Sequence, residues 1–237
     1  MKKILFALLS FAVVTAQAQT ADAVIDKYTA NMGGLDAFNK ITSAKMTGTF
    51  SSQGSDFPLT TQIFNGKGMR TDVDVMGSTV TNCYFNGKGW KINRFAGAPT
   101  ATEVIGNELS DFKAQSSLAN QLMDYKARGH QVEMQGEENV DGVKAFKIKL
   151  TNKDDGKTTT YFLTIANYTL IKSVSSRAIQ GQDVEVETYY SDIKEFGGVK
   201  FFMSRSLKIE GQEFQAINFD NIELNVTIDE KIFDMPK

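Results

Sequence analysis

From residue 44 onward, apolar and polar residues alternate with a period of two, and glycine-containing dipeptides cut the pattern into short segments. That period puts successive side chains on opposite faces of a strand, whereas a helix needs spacing near 3.6. Met46, Gly48 and Phe50 alternate with polar residues, and Met69, Thr71, Val73 and Val75 oppose Arg70, Asp72 and Asp74. Phe146, Ile148 and Leu150 oppose Lys147 and Lys149; Tyr161, Leu163 and Ile165 share a face; Val184 and Val186 oppose Asp183, Glu185 and Glu187. Phe201, Met203, Leu207 and Ile209 share a face with Arg205, and Ile222, Leu224, Val226 and Ile228 form the last run. Asn65-Gly66, Asn86-Gly87, Asp141-Gly142, Asp155-Gly156, Gly181-Gln182, Gly197-Gly198 and Gly211-Gln212 stand between the runs. Such dipeptides admit the positive φ of two-residue hairpins, so roughly ten antiparallel strands are expected. A sheet that long must curl to cover its apolar face. The expected fold is mainly β (α+β): one curved antiparallel sheet forming an open or incomplete barrel, with helices lidding the concave face.

Helical spacing occurs in three places. Thr20 or Asp22 caps a short helix whose stripe is Val24, Tyr28 and Met32, ended by Gly33-Gly34, and residues 35–41 follow as a second short helix. Residues 107–128 read as one longer helix between Gly106 and Gly129, with Leu109, Phe112, Ala119 and Met123 on one face. Leu118, Leu122 and Tyr125 widen that stripe, and Lys126, Arg128 and His130 sit at its cation-favouring end.

The N-terminus carries an address. Lys2-Lys3, an apolar run from Ile4 to Val14 broken by Ser10, and Ala16-Gln17-Ala18 read as a secretory signal peptide over residues 1–18. The run is too short for a ~20-residue membrane span. Gln19 rather than cysteine follows the expected cut, which excludes a lipid anchor there. The expectation is a soluble periplasmic protein with one domain over residues 19–237. Removing residues 1–18 takes two lysines and moves the net charge from −2 to −4, which excludes a nucleic-acid partner. With one cysteine there is no internal disulfide, and Cys83 reads as a small buried apolar residue.

The catalytic inventory is poor. A single histidine excludes a His-rich metal site, and no G-x-S-x-G, C-x-x-C, H-E-x-x-H or G-x-G-x-x-G sequence occurs. No cofactor and no enzymatic activity are expected. Gly66-Lys67-Gly68 and Gly87-Lys88-Gly89 are hairpin turns without a following helix. Asp72 and Asp74 read as a solvated outer face, the acidic row 183–187 as a guard against edge pairing, and His130 as a solvated helix end.

What remains is apolar. The segment 107–128 reads either as a core helix or as a lid over an acyl-chain cavity. Candidate lining residues are Leu109, Phe112, Leu118, Leu122, Met123, Trp90, Phe146, Ile148, Phe201 and Met203. Each buried methylene contributes ~0.8 kcal/mol, so a long acyl chain gains on the order of 10 kcal/mol on leaving water.

Several short stretches are similar to one family. Asn31-Met32-Gly33-Gly34-Leu35-Asp36-Ala37-Phe38, Phe85-Asn86-Gly87-Lys88-Gly89-Trp90 and Leu122-Met123-Asp124-Tyr125-Lys126 come in that order. They are followed by Val140-Asp141-Gly142, by Tyr189-Tyr190-Ser191-Asp192 with Gly197-Gly198, and by Ile232-Phe233-Asp234-Met235-Pro236. Together they resemble the LolA-like outer-membrane lipoprotein-sorting proteins, in their Bacteroidetes branch. The resemblance implies an open β-barrel with a helical lid over a cavity for lipid acyl chains, and a carrier that delivers lipid or lipoprotein toward the outer membrane. Partners would be acyl chains and inner- or outer-membrane lipoprotein-handling proteins. Family members latch the lid with the arginine of an Arg-Pro pair; here the matching stretch reads Asn65-Gly66-Lys67-Gly68, and Arg70 is the nearby candidate. The competing readings are an envelope sensor or protein-interaction module on the same fold, and a hydrolase acting on an envelope component.

Overall fold

A computed structural model describes residues 19–179 and 182–237; the expected signal peptide and the Gly181-Gln182 turn lie outside or at the edge of those residues. Within them, two short helices, α1 (Ala21–Asn31) and α2 (Leu35–Lys40), precede the sheet. Thr20 caps α1 by accepting from the Ala23 N–H at 3.2 Å. Val24, Tyr28 and Met32 are buried as the stripe requires.

The described residues form thirteen strands rather than ten. These are β1 (Ser43–Ser52), β2 (Ser55–Phe64), β3 (Gly68–Val75), β4 (Ser78–Phe85), β5 (Lys88–Asn93) and β6 (Ala98–Val104), then β7 (Gln131–Val140), β8 (Val143–Thr151) and β9 (Thr158–Thr164). The series ends with β10 (Leu170–Ile179), β11 (Gln182–Phe196), β12 (Val199–Ile209) and β13 (Gln212–Leu224). All lie in one sheet of order β6-β5-β4-β3-β2-β1-β13-β12-β11-β10-β9-β8-β7, paired antiparallel throughout and not closed. The sheet is two meanders joined where β1 pairs with β13, so β6 and β7 are its edges. The acidic row 183–187 therefore guards no edge: β11 lies between β10 and β12, and Glu187 pairs with Lys172.

The surplus strands come from breaks without an Asn-Gly or Asp-Gly signal. Gln53-Gly54 and Met76-Gly77 have φ values of 52° and 75°, and 48° and 78°, the same left-handed pair as Asn86-Gly87 and Asp141-Gly142; the 3-10 turn Arg94–Ala96 and residues 165–169 make the other breaks. At the β1–β13 seam Gly48 is required by contact: a Cβ there would lie 2.0 Å from the Asn218 carbonyl oxygen, beside a bulge.

The principal core lies on the inward face. Met46, Leu59, Ile63 and Met69 from one meander meet Ile148, Leu163, Phe201 and Met203 from the other, with Tyr28 and Phe38 of the helices between them. The outward face has its own coverings. Residues 225–237 run back across it and include a 3-10 turn, Glu230–Phe233. Phe233 stacks on Phe85 with ring centroids 4.9 Å apart, and its carbonyl accepts from the Trp90 indole N–H at 2.8 Å.

Candidate ligand-binding site on the concave face

The edge strands β6 and β7 are joined by residues 105–130, which cross the concave side. This crossover is not the single helix expected over 107–128. It forms α3 (Gly106–Gln115), an irregular stretch over 116–124, and one helical turn, α4 (Tyr125–Arg128). The break has a local cause. Ser116 turns its hydroxyl onto the Lys113 carbonyl at 2.7 Å, and the Asn120 side chain accepts from the Met123 N–H at 3.1 Å. Short polar side chains that satisfy nearby backbone groups compete with the helical ladder.

The irregular stretch delivers the apolar side chains inward nonetheless. Leu122 has no exposed surface, Ala119 and Met123 are buried, and Leu118 is half-buried against the same core. Phe112 enters from α3, and Leu109 lies over Gly89, with its Cδ1 2.8 Å from where a Cβ would stand. Leu109, Phe112, Leu118, Leu122, Met123, Phe146, Ile148, Phe201 and Met203 thus converge in one cluster.

Two candidates do not. Trp90 is on the outward face with Cys83 and Phe233, beneath the C-terminal tail. It sits one residue from inward-facing Gly89, so the period of two excludes it from the concavity. Arg70 is also outward: it pairs with Asp72 at 2.8 Å and donates to the Ile232 carbonyl at 2.8 Å. It clamps the tail rather than the crossover. Asp72 is correspondingly held by Arg70 and the Thr81 hydroxyl instead of standing free in water.

The groups that fasten the crossover were not singled out from the sequence. Asn65, read there as a turn residue and as part of the stretch matching the family's Arg-Pro pair, donates to the carbonyls of Phe38 and Ile41 at 3.0 and 2.8 Å and accepts from the Leu118 N–H at 3.0 Å. Asn120 donates to the Tyr28 hydroxyl at 2.7 Å, and the Tyr125 hydroxyl donates to Asp22 at 2.5 Å. That bond, with Lys126 nearby, holds the Asp22 carboxyl below its ordinary range, while burial pushes the Tyr125 phenol up to about 12. Lys91 meets Glu108 at 2.7 Å and Lys113 meets Asp154 at 2.8 Å, fixing α3 at both ends. His130 is not a solvated helix end. Only 9% of it is exposed, and its Nδ1 accepts from the Lys153 N–H at 3.2 Å. Burial, reinforced by Arg128, lowers its pKa.

Two hollows flank this arrangement. One of about 350 Å³ is lined by Asn31, Met32, Asn167, Thr169, Ile193, Glu195 and Lys200, and a second of about 120 Å³ lies beside Lys113, Arg128, His130 and Asp154. Both mix polar and apolar lining; the first reaches the core at Met32, and the inward face between them is packed with the chain's own side chains. Among the described residues no three metal-ligating side chains cluster, and no helix is long and apolar enough to cross a membrane.

No protein-family model and no curated protein matches the sequence. Similarity appears in three dimensions. A LolA superfamily protein from Nitrosomonas europaea superposes with a TM-score of 0.60 at 10% identity, covering 92% of this chain and 98% of that one. A DUF1329 family protein from Desulfovibrio piger gives 0.59 at 13% identity, over 92% and 98% of the two chains. A domain from Vibrio parahaemolyticus, described as an outer membrane lipoprotein-sorting protein, gives 0.59 at 12% identity over 90% and 97%. The chain has the LolA-like fold.

Proposed function

We propose that this protein is a periplasmic carrier that binds acyl chains of a lipid or lipoprotein on the concave face of its sheet, for delivery toward the outer membrane. One observation carries the proposal: beside α1 and α2, the concave apolar face is covered in part by an irregular plug, the stretch 116–124, and not by a second sheet or a continuous helix. The plug inserts Leu118, Ala119, Leu122 and Met123, while Asn65 bonds its Leu118 amide from the β2–β3 turn and its own Asn120 bonds the buried Tyr28 hydroxyl of α1. Displacing it opens an apolar surface without breaking the sheet.

The energies suit a carrier that must also release. Withdrawing the three larger plug side chains costs about 1.5–3 kcal/mol each, and an acyl chain of ~12 or more buried methylenes returns on the order of 10 kcal/mol. The two terms are of similar size, so small changes in plug fastening shift the balance between closed and loaded forms. The described concave face supplies the apolar area that binding hydrocarbon requires. The signal-like residues 1–18, and the fold shared with proteins described as LolA superfamily and lipoprotein-sorting, favour an envelope role.

The packed interior favours one other reading, an envelope protein-interaction module that never opens. Native mass spectrometry of protein recovered from the envelope without detergent separates them. A bound mass released by organic solvent and identified as lipid supports the carrier. A clean ligand-free mass with no uptake of added acyl lipid refutes it and leaves the interaction module.

A further inference from the structure

The plug does not cover the whole inward face. Phe57 on β2 opposes Phe50 on β1, Phe50 opposes Ile217 on β13, Ile217 opposes Arg205 on β12, and Arg205 opposes Tyr190 on β11. These five side chains form one row across five strands. Phe50, Ile217 and Tyr190 pack against the principal core, as does Met203 two residues from Arg205, so the row faces inward. Yet Phe57, Phe50, Ile217 and Tyr190 are only half-buried and Arg205 is exposed. At a strand spacing near 4.8 Å, Arg205 stands ~14 Å from Phe57 along a strip of apolar and aromatic surface.

Arg205 is unusual in that strip. Its neighbours on the face are Met203 and Leu207 along the strand and Tyr190 and Ile217 across it, none of them acidic. No ion pair to it occurs among the described residues. Its cross-strand partners Tyr190 and Ile217 both pack on the inward cluster, so the Arg205 side chain stands on the concave side. An unpaired guanidinium at one end of an uncovered apolar strip complements an anion joined to a hydrocarbon chain, because its fork of N–H donors matches carboxylate and phosphate oxygens.

We propose that Arg205 is the headgroup contact for an anionic single-chain amphiphile whose hydrocarbon lies along Ile217, Phe50 and Phe57. This rests on the acyl-binding function proposed above and narrows it to ligands with a carboxylate or phosphate head. The competing account is an arginine whose stem merely covers Ile217 and Tyr190 while its head stays in water.

Calorimetric titration of the mature protein at pH 8 tests this with three sixteen-carbon probes below their micellar concentrations: palmitate, palmitoyl lysophosphatidylglycerol and neutral monopalmitoylglycerol. The wild type should prefer one or both anions. R205Q should lose roughly ten- to a hundred-fold in affinity for the preferred anion and bind the neutral probe unchanged, with R205K intermediate. The anion that loses more identifies carboxylate or phosphate as the natural head. If all three probes bind and R205Q changes none of them, the headgroup assignment is overturned while acyl binding stands. If the wild type binds no probe, the acyl-binding function itself fails, and this assignment with it.

Discussion

Replacing Asn65 with alanine removes three hydrogen bonds at the junction of the crossover, α2 and the β2–β3 turn. Each is worth about 1 kcal/mol net, so the loss is on the order of 3 kcal/mol. For urea unfolding with a slope near 2–3 kcal/mol/M, the midpoint should fall by about 1 M. The loss should also be local first. The Leu118 amide, now without an acceptor, should exchange with solvent faster than amides in the middle of β1 or β13, and acyl-probe uptake should quicken because the plug is less firmly held. N65D supplies the control. Its carboxylate can still accept from Leu118 but sets oxygen against the Phe38 and Ile41 carbonyls, so it should cost at least as much as alanine. A midpoint change under ~0.3 M in N65A, with Leu118 as protected as before, would refute the idea that Asn65 fastens the plug.

Other perturbations probe the remaining parts. Phe233→Ala empties the outward cluster and should cost about 3–5 kcal/mol; Trp90 emission should shift to the red as its ring meets water, read by fluorescence. For the same reason Trp90, under the tail, is expected to respond weakly to ligand on the opposite face. Gly48→Ala drives a methyl group into the Asn218 carbonyl at 2.0 Å and should cost about 3 kcal/mol or more, seen as a large drop in melting temperature. His130 is kept neutral by burial, below its ordinary value of 6.5. The unfolded chain therefore takes up the proton first, so stability is whole above pH 6.5 and declines as the pH falls toward the lowered native value. H130N should flatten that decline in urea titrations, and because the chain has one histidine no other imidazole confuses the reading.

The strands, the hairpins built on Asn-Gly, Asp-Gly and Gly-Gly, and the first two helices were legible because each depends on a few adjacent residues. Alternation assigns faces, left-handed dipeptides place turns, and Thr20 caps the helix that follows it. Gln53-Gly54 and Met76-Gly77 were missed because their first residues carry no such preference and are held left-handed by the strands they join. Leu122, Phe112, Ile148 and Met203 were picked out as an inward set because apolar character and spacing survive a change of local conformation.

The sequence by itself therefore determined which residues could pair, turn and hide from water, since those are properties of near neighbours. Only the tertiary structure decided what each face meets. It broke the expected long helix where Ser116 and Asn120 took the backbone bonds. It put Trp90 and Arg70 under a tail that is more than 140 residues away along the chain. It made Asn65 a fastener, buried His130 against Lys153, and left Arg205 alone beside an apolar strip. Each of these depends on long-range pairing of β1 with β13 and on the path of the crossover, and neither has a signature in any short window of sequence.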